Sequence, residues 1–337
     1  VGFGVIGADH NHIYLMTRHM VDAGGQLKGW WTREAPIQPS GNSQPLPASL
    51  RVLDYRGLLD DPDVELILIG AMPNERASLA LEAMNSGKDV MTDKPGAVTL
   101  EELQRLRECT ARTQRFWSVS FSERYWVRAI LKAAQVVAEG RIGQVIHTTG
   151  LGPHRGLLDR RPAWFFEPHF SGGILNDLAS HQVDHFMFFT ESTNAQVVSA
   201  HVANFTCPNH PRFEDFGELL LQSERASGYA RVDWLTPDAQ PYFGDNRLVV
   251  LGTEGMIEVR KYVDIGGAPG EDHLFVVHGP KSERIDCSNV ALQYPADVLR
   301  DVRERTSTAE PSGHSFRVTE LTIRAQRMAR RTGYLAR

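Results

Sequence analysis

Cysteine is scarce. Cys109, Cys207 and Cys287 are the three in 337 residues, far apart and odd in number. Neither a disulfide framework nor a zinc-ribbon spacing can be built from them. That usage suits a reducing compartment, and a cytoplasmic location is expected. Blocks of one charge sign are lacking as well. Lys and Arg total 36 against 41 Asp and Glu, a net charge of -5, which argues against nucleic acid or an anionic membrane as partner. The one basic cluster, Arg324 to Arg331, follows a helical pattern and reads as a solvated helix face. No apolar run approaches a membrane span; Leu66 to Ala71 has the length of a buried strand. Internal repeats and low-complexity segments are also missing. The chain opens directly in a strand pattern, so it is silent about anything upstream of Val1.

What is present is a change of grammar about a third of the way along. Apolar strands at Val1–Ile6, Leu27–Trp31, Val64–Ile69, Asp89–Met91 and Phe116–Ser120 alternate with helical spacing at His12–Ala23, Glu75–Ser86 and Leu100–Arg112. This pattern predicts an α/β Rossmann unit, a doubly wound parallel sheet covered on both faces. After Glu123 come a helix, a strand, a polar and aromatic loop and a helix from about Gly173 to Phe189. Strands then follow in near succession from Val197 to Val277, with helices at about Gln293–Arg305 and Ser315–Arg331. Strands without intervening helices predict an α+β domain on a large, mostly antiparallel open sheet. The length suits two domains, and the boundary is expected at 122/123: residues 1–122 for a dinucleotide, residues 123–337 for substrate binding and oligomerisation.

Gly2-Phe3-Gly4-Val5-Ile6-Gly7 spells GxGxxG, but too early. A phosphate loop needs its first glycine at the strand end, with a helix following at once. Only Gly7 meets that condition, so the working frame is Gly7-Ala8-Asp9-His10-Asn11-His12. Asp9 takes the place of the second glycine and His12 that of the third. A carboxylate beside a diphosphate is repulsive unless the loop turns it away or a cation intervenes; protonated His10 and His12 would also offset it. The plainer role for Asp9 is to cap the first helix, and for His12 to line or pack the pocket. The second strand ends in Thr32-Arg33, a hydroxyl and a guanidinium. These suit a 2′-phosphate, favouring NADP slightly over NAD; the plainer reading of Arg33 is an exposed loop residue.

Two further stretches carry chemistry. In Asp93-Lys94-Pro95 the lysine follows a parallel strand's carboxyl end, where ligands bind in open α/β sheets. In Gly172 to His185, helical spacing of about 100° per residue gathers Asp177, His181, Asp184 and His185 in one sector, opposite Leu175, Ala179, Val183 and Phe186. Asp177 and His181 stand at i,i+4, and a carboxylate next to an imidazole makes a general base. A solvated polar face and a metal site on the same four residues are the rival readings.

Together DKP, GGILNDLASHQVD, Pro73-Asn74 and GTEG at Gly252–Gly255 resemble the Gfo/Idh/MocA family over essentially the whole chain. The family usually has EKP and GG-x-x-x-D-x-G-x-H-x-x-D. The resemblance implies an NAD(P)-dependent oxidoreductase acting on CH–OH groups of a sugar, polyol or sugar-acid-like substrate. It implies Lys94 and His181 as catalytic pair with Asp177 as partner, and no resident metal. Cofactor contacts are expected from Gly7, Ala8, Asp9, His10, His12, Thr32, Arg33, Pro73, Asn74 and Lys94. Substrate contacts are expected from His154, Arg155, Trp164, Asp184 and His185, and a homodimer or homotetramer through the second domain's sheet. Departures are G-A-D for the usual G-x-G and Ala77 where the family often has His. A metal-assisted lyase or isomerase, and a non-catalytic nucleotide- or sugar-binding protein, are the alternatives on the same scaffold.

Overall fold

Short apolar strands, four of them wholly buried, alternating with helices build the first unit. The computed structural model describes residues 1–336 apart from positions 40, 42, 241, 265 and 312. In chain order come β1 (Gly2–Ile6), α1 (His12–Asp22), β2 (Gln26–Trp31), α2 (Arg56–Asp60), β3 (Leu66–Ile69), α3 (Pro73–Asn85), β4 (Asp89–Asp93), α4 (Leu100–Thr113) and β5 (Trp117–Ser120). The helix starts are encoded locally. Pro73 sits in the first turn of α3, where a missing N–H costs nothing. Thr99 and Glu102 form a capping box on α4.

The five strands are all parallel, in the order β2-β1-β3-β4-β5. Outside β2, a single parallel bridge joins Trp30 to Arg51. The intervening loop, rich in Pro and Ser, supplies one pairing residue instead of a strand. The strand order reverses between β1 and β3, which makes a topological switch point at their carboxyl ends.

The chain continues with α5 (Ser122–Trp126), α6 (Arg128–Ala138), β6 (Val145–Pro153), α7 (Pro168–Ser171), α8 (Ile174–Asp177), α9 (Ser180–Phe189), β7 (Gln196–Asn204), β8 (Phe216–Gln222) and β9 (Ser227–Asp233). Then follow β10 (Arg247–Gly252), β11 (Gly255–Arg260), β12 (His273–His278), β13 (Lys281–Ile285), α10 (Tyr294–Glu304), α11 (His314–Met328) and β14 (Arg330–Gly333). Nine strands form one sheet, β13-β12-β11-β10-β6-β9-β8-β7-β14. Only β6–β9 and β7–β14 pair in parallel. The inward rows, among them Leu248, Val250, Ile257, Val259, Leu274 and Val276, pack with Ala129, Ile130, Ala133 and Val136 of α6. The opposite face carries exposed Leu220, Leu251 and Val277.

Four expectations need correction. The chain divides into compact units 1–120 with 293–319, and 121–292 with 320–337, rather than contiguously at 122/123. The segment 293–319 belongs with the first sheet: the Val119 N–H donates to Ser315 Oγ at 2.9 Å, and Arg305 pairs with Asp89 at 2.5 Å. The helix expected from Gly173 to Phe189 is broken between α8 and α9. There the Ala179 N–H reaches back to Ile174 O (3.4 Å) and the His181 N–H to Leu178 O (3.4 Å), so the α-helical ladder lapses. The helix expected to run to Arg331 ends at Met328, and Arg330 and Arg331 pair with β7 as an edge strand. β13 was not expected, because Lys-Ser-Glu-Arg-Ile is an almost wholly exposed, charged edge without alternation.

Candidate active site

In the first unit, the switch point is shaped by Gly7. Its φ is +85°, and a Cβ there would lie 2.3 Å from the Ala71 nitrogen, so β1 can turn under β3 only with glycine. Three backbone donors then fasten the loop: Gly7 N–H to Trp31 O (2.7 Å), Ala8 N–H to Thr32 Oγ1 (3.2 Å) and Asp9 N–H to Gly70 O (3.0 Å). Thr32 is thus buried and used for structure. Asp9 is not the helix cap. Asn11 occupies that position, its side chain making no capping bond, and burial together with Glu75 raises the pKa of the Asp9 carboxyl. Arg33 lies on the surface and pairs with Glu75 at 2.6 Å. Asn74 Oδ1 is shielded from water with no hydrogen-bond partner.

Asp93 is the hub of the site. It is fully buried, and its oxygens meet His10 Nδ1 (2.6 Å), His12 Nδ1 (2.9 Å), the Lys94 N–H (2.8 Å) and Arg76 (3.3 Å). Burial alone would raise its pKa, but His12, His10 and Arg76 together hold it well below the usual carboxylate range. Burial pushes the His10 imidazole down to about 4, against the pull of Asp93. Lys94 follows at the strand end, 3% exposed, before a cis peptide to Pro95. Arg76 is the residue that sequence reasoning passed over. Its guanidinium donates to Ala71 O (2.8 Å), Pro95 O (3.1 Å) and Lys94 O, tying the end of β4 to the start of α3. The signal was there: Arg76 falls on the stripe of Pro73, Ala77, Leu79 and Ala80 that α3 buries. The metal site weighed from sequence lay on Asp177, His181, Asp184 and His185; among the described residues it is His10, His12 and Asp93 that come together, with one ligand atom each inside a 4.8 Å span.

In the second unit, Asp177 closes α8 and His181 lies in the first turn of α9, 2% exposed. The start of α8 is held from outside. Glu214 accepts the Ile174 N–H (2.8 Å) and Gln326 Nε2 (2.7 Å), while Gln326 Oε1 accepts the Leu175 N–H (3.0 Å). Gly173 has φ +81°, and a Cβ there would strike Gln326 at 2.3 Å. Asp177, Phe165, Phe166, Glu214 and Trp234 line a narrow cleft of about 10 Å³, room for about one water. Beside it the Arg161 guanidinium lies 4.4 Å from the Phe165 ring centroid and 5.0 Å from that of Trp234. Burial lowers the Arg161 pKa and the Asp177 charge opposes that shift; its NH2 group has no hydrogen-bond partner.

The expected substrate residues have other employment. Asp184 is fully buried in an ion pair with Arg124 at 2.9 Å. Burial lowers the His185 pKa, countered by Glu123 and Asp184. The Arg155 guanidinium donates to Asp238 O (3.2 Å) and Gln240 O, bracing the 237–243 loop. His154 binds Gly152 O through Nδ1 (3.0 Å) with its ring against Trp234 and Phe243. Trp164 packs on the aromatic cluster of Phe165, Phe166 and Phe213. Glu123, Arg124 and Glu214, none of them expected, carry the polar framework of this unit.

Comparison with known proteins places this geometry. Residues 1–121 match the model of the oxidoreductase family with an NAD-binding Rossmann fold, and residues 130–258 match the Gfo/Idh/MocA C-terminal domain. A solved structure from Erwinia carotovora atroseptica SCRI1043, named only as an oxidoreductase, is 39% identical, covers 99% of this chain and 100% of its own, and has a TM-score of 0.92. Levoglucosan dehydrogenase in complex with NADH shares the fold at 16% identity and a TM-score of 0.76, with 98% of each chain covered. The scyllo-inositol 2-dehydrogenase (NAD(+)) of Bacillus subtilis (strain 168) is 29% identical over 202 residues, 59% of this chain and 56% of that protein. The chain spans about half the length of the curated relatives it matches. With both of its units matched by one family's models and a full-length relative sharing the fold, the chain belongs to the Gfo/Idh/MocA family.

Proposed function

We propose that the protein is an NAD(P)-dependent oxidoreductase moving hydride between nicotinamide and a hydroxyl or keto carbon of a sugar, polyol or sugar-acid-like substrate. The observation that carries the reading is the Gly7 turn at the switch point of a parallel sheet, with Lys94 at the carboxyl end of β4. The cradle fits a nicotinamide nucleotide. Gly7 lets β1 turn tightly under Ala71 at the carboxyl ends of the strands, where such a nucleotide binds in open α/β sheets, and Asn74 Oδ1 is an acceptor without a donor. Both nucleotides stay within the proposal. Arg33 favours the 2′-phosphate of NADP, but must leave Glu75 to bind it. When bound, the nicotinamide supplies the hydride donor or acceptor.

Lys94 binds the reacting oxygen and lowers its pKa through its ammonium charge. Asp177 orients His181, which takes the hydroxyl proton in oxidation and returns it in reduction. Arg161 joins the expected set as a substrate contact, since its NH2 group can bind a substrate oxygen that water does not reach. His154 and Trp164 shape the same wall. Arg155, Asp184 and His185 hold the framework behind it. Residues 1–122 are proposed for cofactor and residues 123–337 for substrate and assembly, with 293–319 returning to the first unit. We also propose a cytoplasmic homodimer or homotetramer joined through the open sheet face.

The test is titration with NADH and NADPH followed by melting temperature, then a polyol, sugar and sugar-acid panel read by nicotinamide absorbance. Binding of one nucleotide and turnover of one substrate class are expected. Lys94→Ala and His181→Ala should each lower kcat/KM by about 10²–10⁴-fold with the fold retained. No melting shift with either nucleotide overturns the reading.

A further inference from the structure

The loop Asp9-His10-Asn11-His12 lacks the second and third glycines of a phosphate loop, and its imidazoles, expected to line the cofactor pocket, are turned onto a buried carboxylate. They enter from the turn that opens α1 and meet one carboxylate at the end of β4. His10 Nδ1 is 2.6 Å from Asp93 Oδ2, and His12 Nδ1 is 2.9 Å from Asp93 Oδ1. The two rings stand edge to face, 4.4 Å between centroids, so they converge without stacking. His10 Nδ1 is shielded from water, and despite its closeness to Asp93 Oδ2 it makes no hydrogen bond in proper geometry. His12 Nδ1 hydrogen-bonds Asp93 Oδ1, and one ligand atom each from His10, His12 and Asp93 lies within 4.8 Å of the others, close enough to share one ion.

The surroundings suit such an ion. Asp93 is fully buried and oriented by the Lys94 N–H (2.8 Å), as outer donors orient a metal-binding carboxylate. Arg76 makes one long contact with it at 3.3 Å and spends its other donors on the carbonyls of Ala71, Lys94 and Pro95. Two imidazoles and one carboxylate make the donor set that zinc takes with three protein ligands and a fourth position open. A dication here would also compensate Asp9, the carboxylate that stands in the loop in place of glycine.

We propose that His10, His12 and Asp93 bind a divalent transition-metal ion of the zinc class, with a fourth position for water or a ligand oxygen. The site stands independently of the nicotinamide reading, because metal binding is measured without nucleotide or substrate. The full chain, stripped with a chelator and dialysed, is titrated with Zn²⁺ by calorimetry and with Co²⁺ by visible absorption. One equivalent of each is expected to bind, Zn²⁺ with a Kd below about 1 μM, and Co²⁺ with the intense ligand-field bands of a four-coordinate ion. His10→Ala and His12→Ala should each weaken Zn²⁺ binding by more than about 100-fold. These rings are partly exposed, so the fold should survive, as unchanged circular dichroism would verify. His147→Ala, a histidine hydrogen-bonded to Ser227 in the second unit, should bind as the parent does. Absence of stoichiometric binding, or equal binding by the His12→Ala variant, overturns the proposal and leaves Asp93 as a hydrogen-bonding bridge between two histidines.

Discussion

Single side chains in this protein are fixed by the groups that fold against them, and Asp301, held by the loop that follows its own helix, gives the clearest measurable case. Burial would raise its pKa, but donation from Thr306 Oγ1 (2.6 Å), the Ala309 N–H (2.8 Å) and the Thr308 N–H (2.8 Å) outweighs that and lowers it. A carboxyl whose pKa falls on folding contributes stability above its unfolded value of about 3.9, and loses it as pH drops through the folded value. Asp301→Asn should therefore cost about 1–2 kcal/mol at pH 7. The gap to the parent should narrow in urea unfolding at pH 3. A gap independent of pH would show that the charge is not what matters. Arg76 makes a related point: its buried position on the α3 stripe was legible, but its three carbonyl partners were not, because they come from two other segments.

Elements here are placed by caps supplied from elsewhere. α8 has four residues, too short to hold itself. Its first N–H groups are received by Glu214 and Gln326, from β8's flank and α11. Glu214→Ala should destabilise the protein by about 2–4 kcal/mol, since it strips acceptors from two buried donors. It should also lower kcat, because Asp177 ends this helix. Glu214→Gln keeps one acceptor oxygen and should be milder in both measurements. Equal melting temperatures for Glu214→Ala and the parent would rule out this anchoring role. Periodicity placed the apolar side of this region correctly but ran α8 and α9 together. A break made by two altered backbone hydrogen bonds leaves no mark in side-chain pattern.

At the scale of the whole molecule, the open face of the nine-stranded sheet is the feature to explain. Register puts Leu251 opposite Met256, and Met256 opposite Val277, so these three form one file across β10, β11 and β12. Leu251 is 40% and Val277 41% exposed. Apolar residues filed on one sheet face mark a contact surface. On the proposed assembly through this face, the parent should run as a dimer or tetramer in light scattering and the Leu251→Lys/Val277→Lys double variant as a monomer with secondary structure intact. A monomeric parent would remove the sheet as an assembly surface.

Much of this was written in the residues themselves. The alternation of strand and helix, the switch to successive strands, the frame shift from Gly2 to Gly7 and the placement of Lys94 at a strand end all follow from periodicity and turn chemistry, which act over a few neighbours. The family resemblance rested on the same short stretches. Tertiary structure alone decided the rest. It returned residues 293–319 to the first unit, buried Asp184 against Arg124, and turned His10 and His12 onto Asp93. Each of these depends on which distant groups meet once apolar surface is buried. That is a property of the packed chain, and local spacing carries no record of it.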